Sequence, residues 1–426
     1  MSKKLQLPRS LGNGLTLRAV ESDADVEKVV AINTQVHDAE TGDIARHWLM
    51  GGHPVIFREG WLYVEDGATG QTVATLCLIP MTWRYGGHLL PVAELGFVAT
   101  LSGYRGRGLQ RILSDAFDGL ALEHGHTLAA IEGIPGFYGQ FGYEYALPLN
   151  NCFDLGFEQV ADEPEPEGQA LRAATLADVP ALQSLYDASI AALDVAALRD
   201  AALWAHQLAA PKEITFYMHT TVIERAGQVT GYLRWGDDGW SDRLVVSELA
   251  VGDGPGARER VLAALRFARD QGRARDKSGL RLRLPAHHPA VTVARYLGAA
   301  DEGRYGWQMR VLDPVGLLRA IAPALEARLA GSLLQGFSGG LVFDLYRSQL
   351  ALRFEAGRLV DVSAPAEPAQ ETHAGMMLKQ ATQLWLGWRG REALEAWNPD
   401  FWSRDTARHL LDVLFPRAQA HIYMPY

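Results

Sequence analysis

The chain is poor in the residues that would fix its chemistry at a glance. Only two of its 426 residues are cysteine, Cys77 and Cys152. Both lie in apolar runs with no metal-ligand spacing, so they read as buried thiols of a reducing compartment, and no metal is expected. No apolar stretch reaches the roughly eighteen residues of a membrane span. Met1-Ser2-Lys3-Lys4 leads into no signal-peptide core, and the expectation is a cytoplasmic protein without a membrane partner. Positive charge is short as well: 40 Lys and Arg against 50 Asp and Glu leave a net charge of −10. That balance speaks against a nucleic-acid partner and suits a cationic substrate. Neither Gly-x4-Gly-Lys-Ser/Thr nor a Gly-x-Gly-x2-Gly turn after a strand is present, which excludes a nucleotide-hydrolysing P-loop and a dinucleotide fold. His47 and His53 have no metal-pair spacing and read as surface or capping histidines.

What is present is a globular composition, 48% apolar and 21% charged, long enough for two to four domains with substantial cores. The chain is organised around Glu94 to Tyr145. An apolar strand, Leu95-Gly96-Phe97-Val98, passes into the turn Gly103-Tyr104-Arg105-Gly106-Arg107-Gly108. Apolar residues then recur at Leu109, Ile112, Leu113, Ala116, Phe117 and Leu120, the spacing of an amphipathic helix. A second apolar run, Leu128 to Ile131, leads into Phe137-Tyr138-Gly139-Gln140-Phe141-Gly142-Tyr143. A glycine-bearing turn that opens a helix holds phosphate well: the backbone comes close, the first N–H groups are free, and the dipole favours an anion. Arg105 and Arg107 add fixed positive charge. The plain alternative is an ordinary βα turn with a solvated arginine pair.

Upstream, Leu15–Arg18 reads as a strand and a helix follows from Ser22, with Asp23 and Asp25 at its positive end. Residues 37–53 are mixed and glycine-punctuated. Strands are expected at Trp61–Glu65 and Val73–Pro80, with Met81 to Leu90 crossing back towards Glu94. Downstream, the acidic, proline-rich Asp162–Gln169 reads as a linker. Leu171-Arg172-Ala173 then echoes Leu17-Arg18-Ala19, Val245–Val251 echoes 93–100, and Arg295–Gly298 falls where Tyr138–Gly142 fell, an internal repeat over 168–310. At its turn, Gly252 to Ala257, Asp253 and Pro255 replace the arginine pair, so the second copy is expected to be silent. The third segment reads as a helix through Leu317, Leu318 and Ile321. Strands at Gly340–Leu345, Leu350–Phe354 and Arg358–Val362 follow, then helices at Gly375–Leu386 and Ser403–Leu414. Its tryptophans, Trp385, Trp388, Trp397 and Trp402, read as core packing rather than a lipid pocket.

The strand, the Arg105-Gly106-Arg107-Gly108-Leu109-Gln110 turn and helix, and Phe137–Tyr143 together resemble the acetyl-CoA site of the GNAT N-acetyltransferases. Their pyrophosphate loop reads Gln or Arg, two free places, Gly, one free place, then Gly or Ala; this chain departs from it at Gln110. The third segment resembles a sterol-carrier-protein-like domain. The whole arrangement resembles the family of the mycobacterial enhanced intracellular survival protein, which acetylates amines of aminoglycosides. The implied fold is α+β: a catalytic GNAT domain over 1–160, a degenerate copy over 168–310 and a sterol-carrier-like α/β domain over 311–426. The implied activity is transfer of acetyl from acetyl-CoA to an amine-bearing small molecule, in a homo-hexamer. The resemblance places the cofactor on Val98, Ala99, Thr100, Arg105, Gly106, Arg107, Gly108, Leu109, Gln110, Arg111 and Ile134, with Tyr138 protonating the leaving thiolate. The apolar tail Ala418 to Tyr426 carries no charge after Arg417 and reads as docked rather than frayed. By resemblance the Tyr426 carboxylate is the base. Two other readings stay open: an acetyltransferase for protein or peptide amines, and a non-catalytic acyl-CoA or lipid binder.

Overall fold

The computed structural model describes residues 5–424 except 165–167, 213, 215, 216, 238, 240 and 253. Strands β1 (Arg9–Gly12) and β2 (Leu15–Ala19) pair antiparallel and lead into α1 (Asp23–Val36). Ser22 starts that helix by a capping box: its side chain accepts the Asp25 N–H, and the Asp25 carboxylate accepts the Ser22 N–H. Residues 37–53, expected to be mixed, contain a second helix, α2 (Ala39–Met50), capped by Asp38. Gly42 does not break it. A Cβ there would lie 1.9 Å from Thr34 Oγ1, so this glycine marks the close approach of α1 and α2. His53 is buried beside Trp48 with ring centroids 5.3 Å apart, and its Nδ1 accepts the Val55 N–H at 3.3 Å, so of the two readings it caps the backbone and is not a surface histidine.

Strand β3 (Trp61–Asp66) is followed by β4 (Gln71–Tyr85) and β5 (His88–Thr100). The stretch expected to cross back, 81–90, is instead a tight hairpin with Tyr85 opposite His88. Gly86 and Gly87 take φ of 53° and 89°, the positive values such a two-residue turn demands. Pro80 and Pro91, both inside the ladder, masked this continuity. Helix α3 (Leu109–Glu123), β6 (Leu128–Ile131) and β7 (Glu144–Leu155) complete the first copy.

The order recurs in β8 (Gln169–Ala173), α4 (Val179–Ile190), β9 (Val195–Ala197), α5 (Ala201–Ala209), β10 (His219–Arg225), β11 (Gln228–Gly236), β12 (Leu244–Val251), α6 (Ala257–Arg273), β13 (Leu280–Arg283), α7 (Pro289–Tyr296) and β14 (Ala300–Val311). The remainder runs α8 (Pro314–Ala320), α9 (Ala322–Ala330), β15 (Gly339–Asp344), β16 (Gln349–Glu355), β17 (Arg358–Ser363), β18 (Ala374–Gly375), α10 (Leu378–Trp385), α11 (Arg391–Trp397), β19 (Trp402–Ser403), α12 (Asp405–Leu414) and β20 (Ala420–His421). Trp385 is buried there, but Trp397 is 78% exposed and packs in no core.

Contacts divide the described residues into two compact units, 5–147 with 306–420, and 148–305 with 421–424. In the first, the sheet runs β1-β2-β3-β4-β5-β6 and ends on Gln308–Val311 of β14; β15 to β19 form a separate sheet. Leu109, Leu113, Ala116, Phe117 and Leu120 of α3 are buried against it, each large side chain contributing about 1.5–3 kcal/mol. In the second unit the sheet runs from Cys152–Leu155 through β13-β12-β11-β10 to β8. Its core gathers Phe153, Leu182, Tyr186, Trp204, Leu233 and Leu265. Within it Glu248, buried, takes Arg199 in a two-pronged pair at 3.1 and 2.6 Å and Arg234 at 3.0 Å. Burial pushes the Glu248 carboxyl up, yet the two guanidiniums hold it down at about 2. The tail packs in this unit: His421, Ile422 and Tyr423 are buried, and Arg199 donates to the Met424 carbonyl at 2.8 Å. Tyr426 lies outside the described residues.

Candidate active site

Strand β5 supplies the site because it stops behaving as a regular strand. Its register with β4 pairs Cys77 with Gly96 and Thr75 with Ala99, so Phe97 and Val98 stand opposite Leu76 alone. Phe97 has φ of 51°, a left-handed value that costs a non-glycine residue about 1–2 kcal/mol. Aromatic packing offsets it: the Phe97 ring lies 5.1 Å from Trp48 and 4.7 Å from Trp61, centroid to centroid. On the other edge, β5 pairs in parallel with β6 only up to Glu94 and Ala130. From Leu95 to Thr100 that edge has no partner strand among the described residues, and the two strands part.

The glycine turn sits at the end of this opening. Gly106 and Gly108 both have φ of 75°, and a Cβ at either would meet nothing within 4 Å, so they serve backbone shape and leave the space before the helix open. Gly108 is the N-cap of α3 and offers no side-chain cap. The first N–H groups, at Leu109 and Gln110, therefore face outward with the positive end of the dipole. Arg105, Gly106, Arg107 and Gly108 are exposed, as is Arg111. Arg107 is not free to wander. Its guanidinium lies 4.5 Å over the Tyr104 ring and donates to the Gly103 carbonyl at 2.9 Å, while Tyr104 donates to Asp66. Arg111 lies 5.2 Å over Phe141, which ties the turn to the second motif.

Between these parts lies a narrow cleft, lined by Leu76, Leu95, Val98, Gln110, Ser114, Phe137, Tyr138 and Phe141. Tyr138 begins a 3-10 turn, Tyr138–Phe141, that ends on Gly142 at φ of 91°. Its ring is fixed on several sides. Phe137 lies edge-on at 5.0 Å, and a Cβ on Gly133 would come within 2.3 Å of Tyr138 Cδ2. Gln308 holds the Gly133 carbonyl at 2.7 Å, and Lys379 holds that of Gly139 at 3.0 Å. Burial raises the Tyr138 phenol to about 12, so it stays protonated and able to donate throughout the neutral range.

The expected residues thus fall into groups. Val98, Gln110 and Tyr138 share the cleft. Ala99 and Thr100 join it through Gln110, whose Nε2 donates to the Ala99 carbonyl and to Thr100 Oγ1, both at 2.8 Å. Leu109 turns its side chain into the core and can offer a ligand only its N–H. Ile134 does not line the cleft; its side chain is 65% exposed. Sequence reading missed Ser114, Gly133, Gln308 and Lys379, and only the small residues at 114 and 133 hinted at a close approach. In the second copy Gly256 caps α6 with φ of 82°, the same backbone as Gly108. There Arg260, largely buried, donates to the carbonyls of Gly252 and Pro255, so the chain's own cation occupies the turn. Asp253 lies outside the described residues. Among those described, no group of three or more His, Cys, Asp or Glu could hold a metal ion, and no helix is long and apolar enough to cross a membrane.

Residues 18–146, which hold the parted strands, the glycine turn and Tyr138, match the acetyltransferase (GNAT) domain, and the chain is an acetyltransferase. The chain carries that domain within a mixed α+β, GNAT-like fold. No curated protein sequence matches. Among solved structures, a GCN5-related N-acetyltransferase from Anabaena variabilis is similar at 15% identity and a TM-score of 0.71, over 96% of this chain and 99% of that one. A probable N-acyltransferase from Enterococcus faecalis is similar at 12% identity and a TM-score of 0.73, over 97% and 100%. Eis1 from Mycobacterium abscessus is similar at 16% identity and a TM-score of 0.62, over 97% and 100%. At these identities the likeness is one of fold.

Proposed function

We propose that the chain transfers acetyl from acetyl-CoA to a primary amine of a cationic small molecule, of the aminoglycoside kind, by direct attack in a ternary complex. The observation that carries this reading is the cleft itself, which joins the open edge of β5 to the capless N-terminus of α3 and ends at the Tyr138 phenol. The free N–H groups at Leu109 and Gln110, with Arg105, Arg107 and Arg111, take the pyrophosphate. Backbone groups at Val98, Ala99 and Thr100 hold the pantetheine arm and polarise the thioester carbonyl. An amine is mostly protonated at neutral pH, so a base must first remove a proton. The free amine then forms the C–N bond, the C–S bond breaks as the Tyr138 hydroxyl donates to the departing thiolate, and the nitrogen's surplus proton is lost while the phenolate is reprotonated. The net charge of −10 favours a cationic acceptor over an anionic one.

The base is assigned to the Tyr426 carboxylate. A short glycine–serine extension after Tyr426 moves that carboxylate and alters nothing else; the expected result is loss of turnover with acetyl-CoA affinity kept, and full activity rules out this base. The division into domains 1–160, 168–310 and 311–426, the sterol-carrier likeness of the last, a homo-hexamer of the enhanced-intracellular-survival kind and a cytoplasmic location belong to the same reading. Thiol release from acetyl-CoA over a panel of aminoglycosides, polyamines and lysine peptides tests the whole. Turnover with the aminoglycosides is expected. Turnover on peptides alone makes the chain a protein acetyltransferase, and binding without turnover on any amine makes it an acyl-CoA carrier.

A further inference from the structure

The cleft is lined by three polar side chains, and only two of them are accounted for. The amide of Gln110 is engaged with Ala99 and Thr100. Tyr138 has its place beside the thiolate. Ser114, one helical turn beyond Gln110 on α3, is 4% exposed, and its Oγ has no hydrogen-bond partner among the described residues. A serine inside a helix commonly donates to the carbonyl four residues back, here that of Gln110. Ser114 makes no such bond, yet its side chain lines the cleft among Leu76, Leu95 and Val98. A buried hydroxyl without a partner costs about 1–3 kcal/mol, which a bound ligand relieves if it brings a polar group to that depth.

We infer that Ser114 is a further cofactor-binding residue, whose hydroxyl bonds an amide of the pantetheine arm. This rests on the acyl-CoA reading of the cleft. The ligand must carry polar groups along an otherwise apolar chain, since Leu76, Leu95, Val98, Phe137 and Phe141 line the cleft around Ser114. The pantetheine arm is of that class, with two amides between the phosphates and the sulfur. One turn of helix, roughly 5.4 Å, separates Gln110 from Ser114. That step carries the contact away from the phosphate end at the α3 N-terminus and down along the arm.

The test is calorimetric titration of the full chain and of Ser114→Ala with two probes, CoA and 3′-phosphoadenosine 5′-diphosphate, which has the phosphates but no arm. CoA affinity is expected to fall about three- to tenfold, the loss of one hydrogen bond. Affinity for the armless nucleotide is expected to stay the same. That split separates an arm contact from a general disturbance of the fold, which would weaken both probes alike. CoA affinity unchanged within twofold, or an equal loss for both probes, overturns the inference while leaving the acyl-CoA site in place. A parent chain that binds neither probe overturns the acyl-CoA reading and this inference with it.

Discussion

In the proposed reaction, Tyr138 is the residue on which the chemistry turns. Its ring is held by Phe137, Gly133 and Tyr143, so Tyr138→Phe keeps the packing and removes only the hydroxyl. Turnover should fall by roughly 10²–10⁴, the worth of a general acid, with acetyl-CoA affinity little changed. Because burial holds the phenol at about 12, the parent should show no alkaline loss attributable to this group below about pH 11. Turnover of the variant within threefold of the parent would leave Tyr138 as packing alone. In the sequence this residue was singled out by the resemblance, because Tyr138 follows the helix and second apolar run at the family's spacing. The sequence hid the supports. Gln308 lies some 170 residues away and touches the Gly133 carbonyl, a contact with no local signature.

At the scale of elements, the proposal rests on α3 and β5 and on two departures from regularity. One was legible: glycines at 106 and 108 before an amphipathic run announce a left-handed turn and an open helix start. The other was not. The bulge at Phe97 depends on Trp48 and Trp61 packing around a phenylalanine in left-handed backbone, and nothing in Leu95-Gly96-Phe97-Val98 shows it. The helix α2 was missed for a related reason, since Gly42 signals helix contact rather than helix breakage. Reversing charge with Arg105→Glu, or placing a proline at Gly108, should abolish measurable acetyl-CoA binding. Proline removes an N–H and cannot adopt φ of 75°. Both variants should retain their circular dichroism; calorimetry that finds parental affinity in both would remove the pyrophosphate from this turn.

At the scale of the molecule, each unit has its own core, and the second carries buried groups that its sequence did not advertise. His288 caps α7: its Nδ1 accepts the Ala290 N–H, so Nε2 carries the proton donated to the Leu249 carbonyl. Burial lowers His288 to about 4 and His421 to about 3 from an ordinary 6.5. The unfolded chain therefore binds these protons first as pH falls. Stability is fully present above about 6.5 and should be lost between there and about 4, with a slope near 1.4 kcal/mol per pH unit for each histidine. Denaturant midpoints from pH 7.5 to 4 measure this. A flat profile would mean that neither ring is neutral and buried. The recurring element order was foreshadowed by the echo of Leu17-Arg18-Ala19 in Leu171-Arg172-Ala173, whereas Arg260 filling the turn before α6 was not, because a helical arginine looks solvent-facing in sequence.

The central claim is that this cleft passes an acetyl group from a thioester to an amine. A single-turnover mixture of enzyme, acetyl-CoA and one reactive amine, quenched and weighed by mass spectrometry, tests it most directly. The account predicts CoA thiol and N-acetylated amine in equal amounts from the parent chain, with both falling together in Tyr138→Phe. Free acetate without acetylated amine, or acetyl-CoA bound and unchanged, would contradict it.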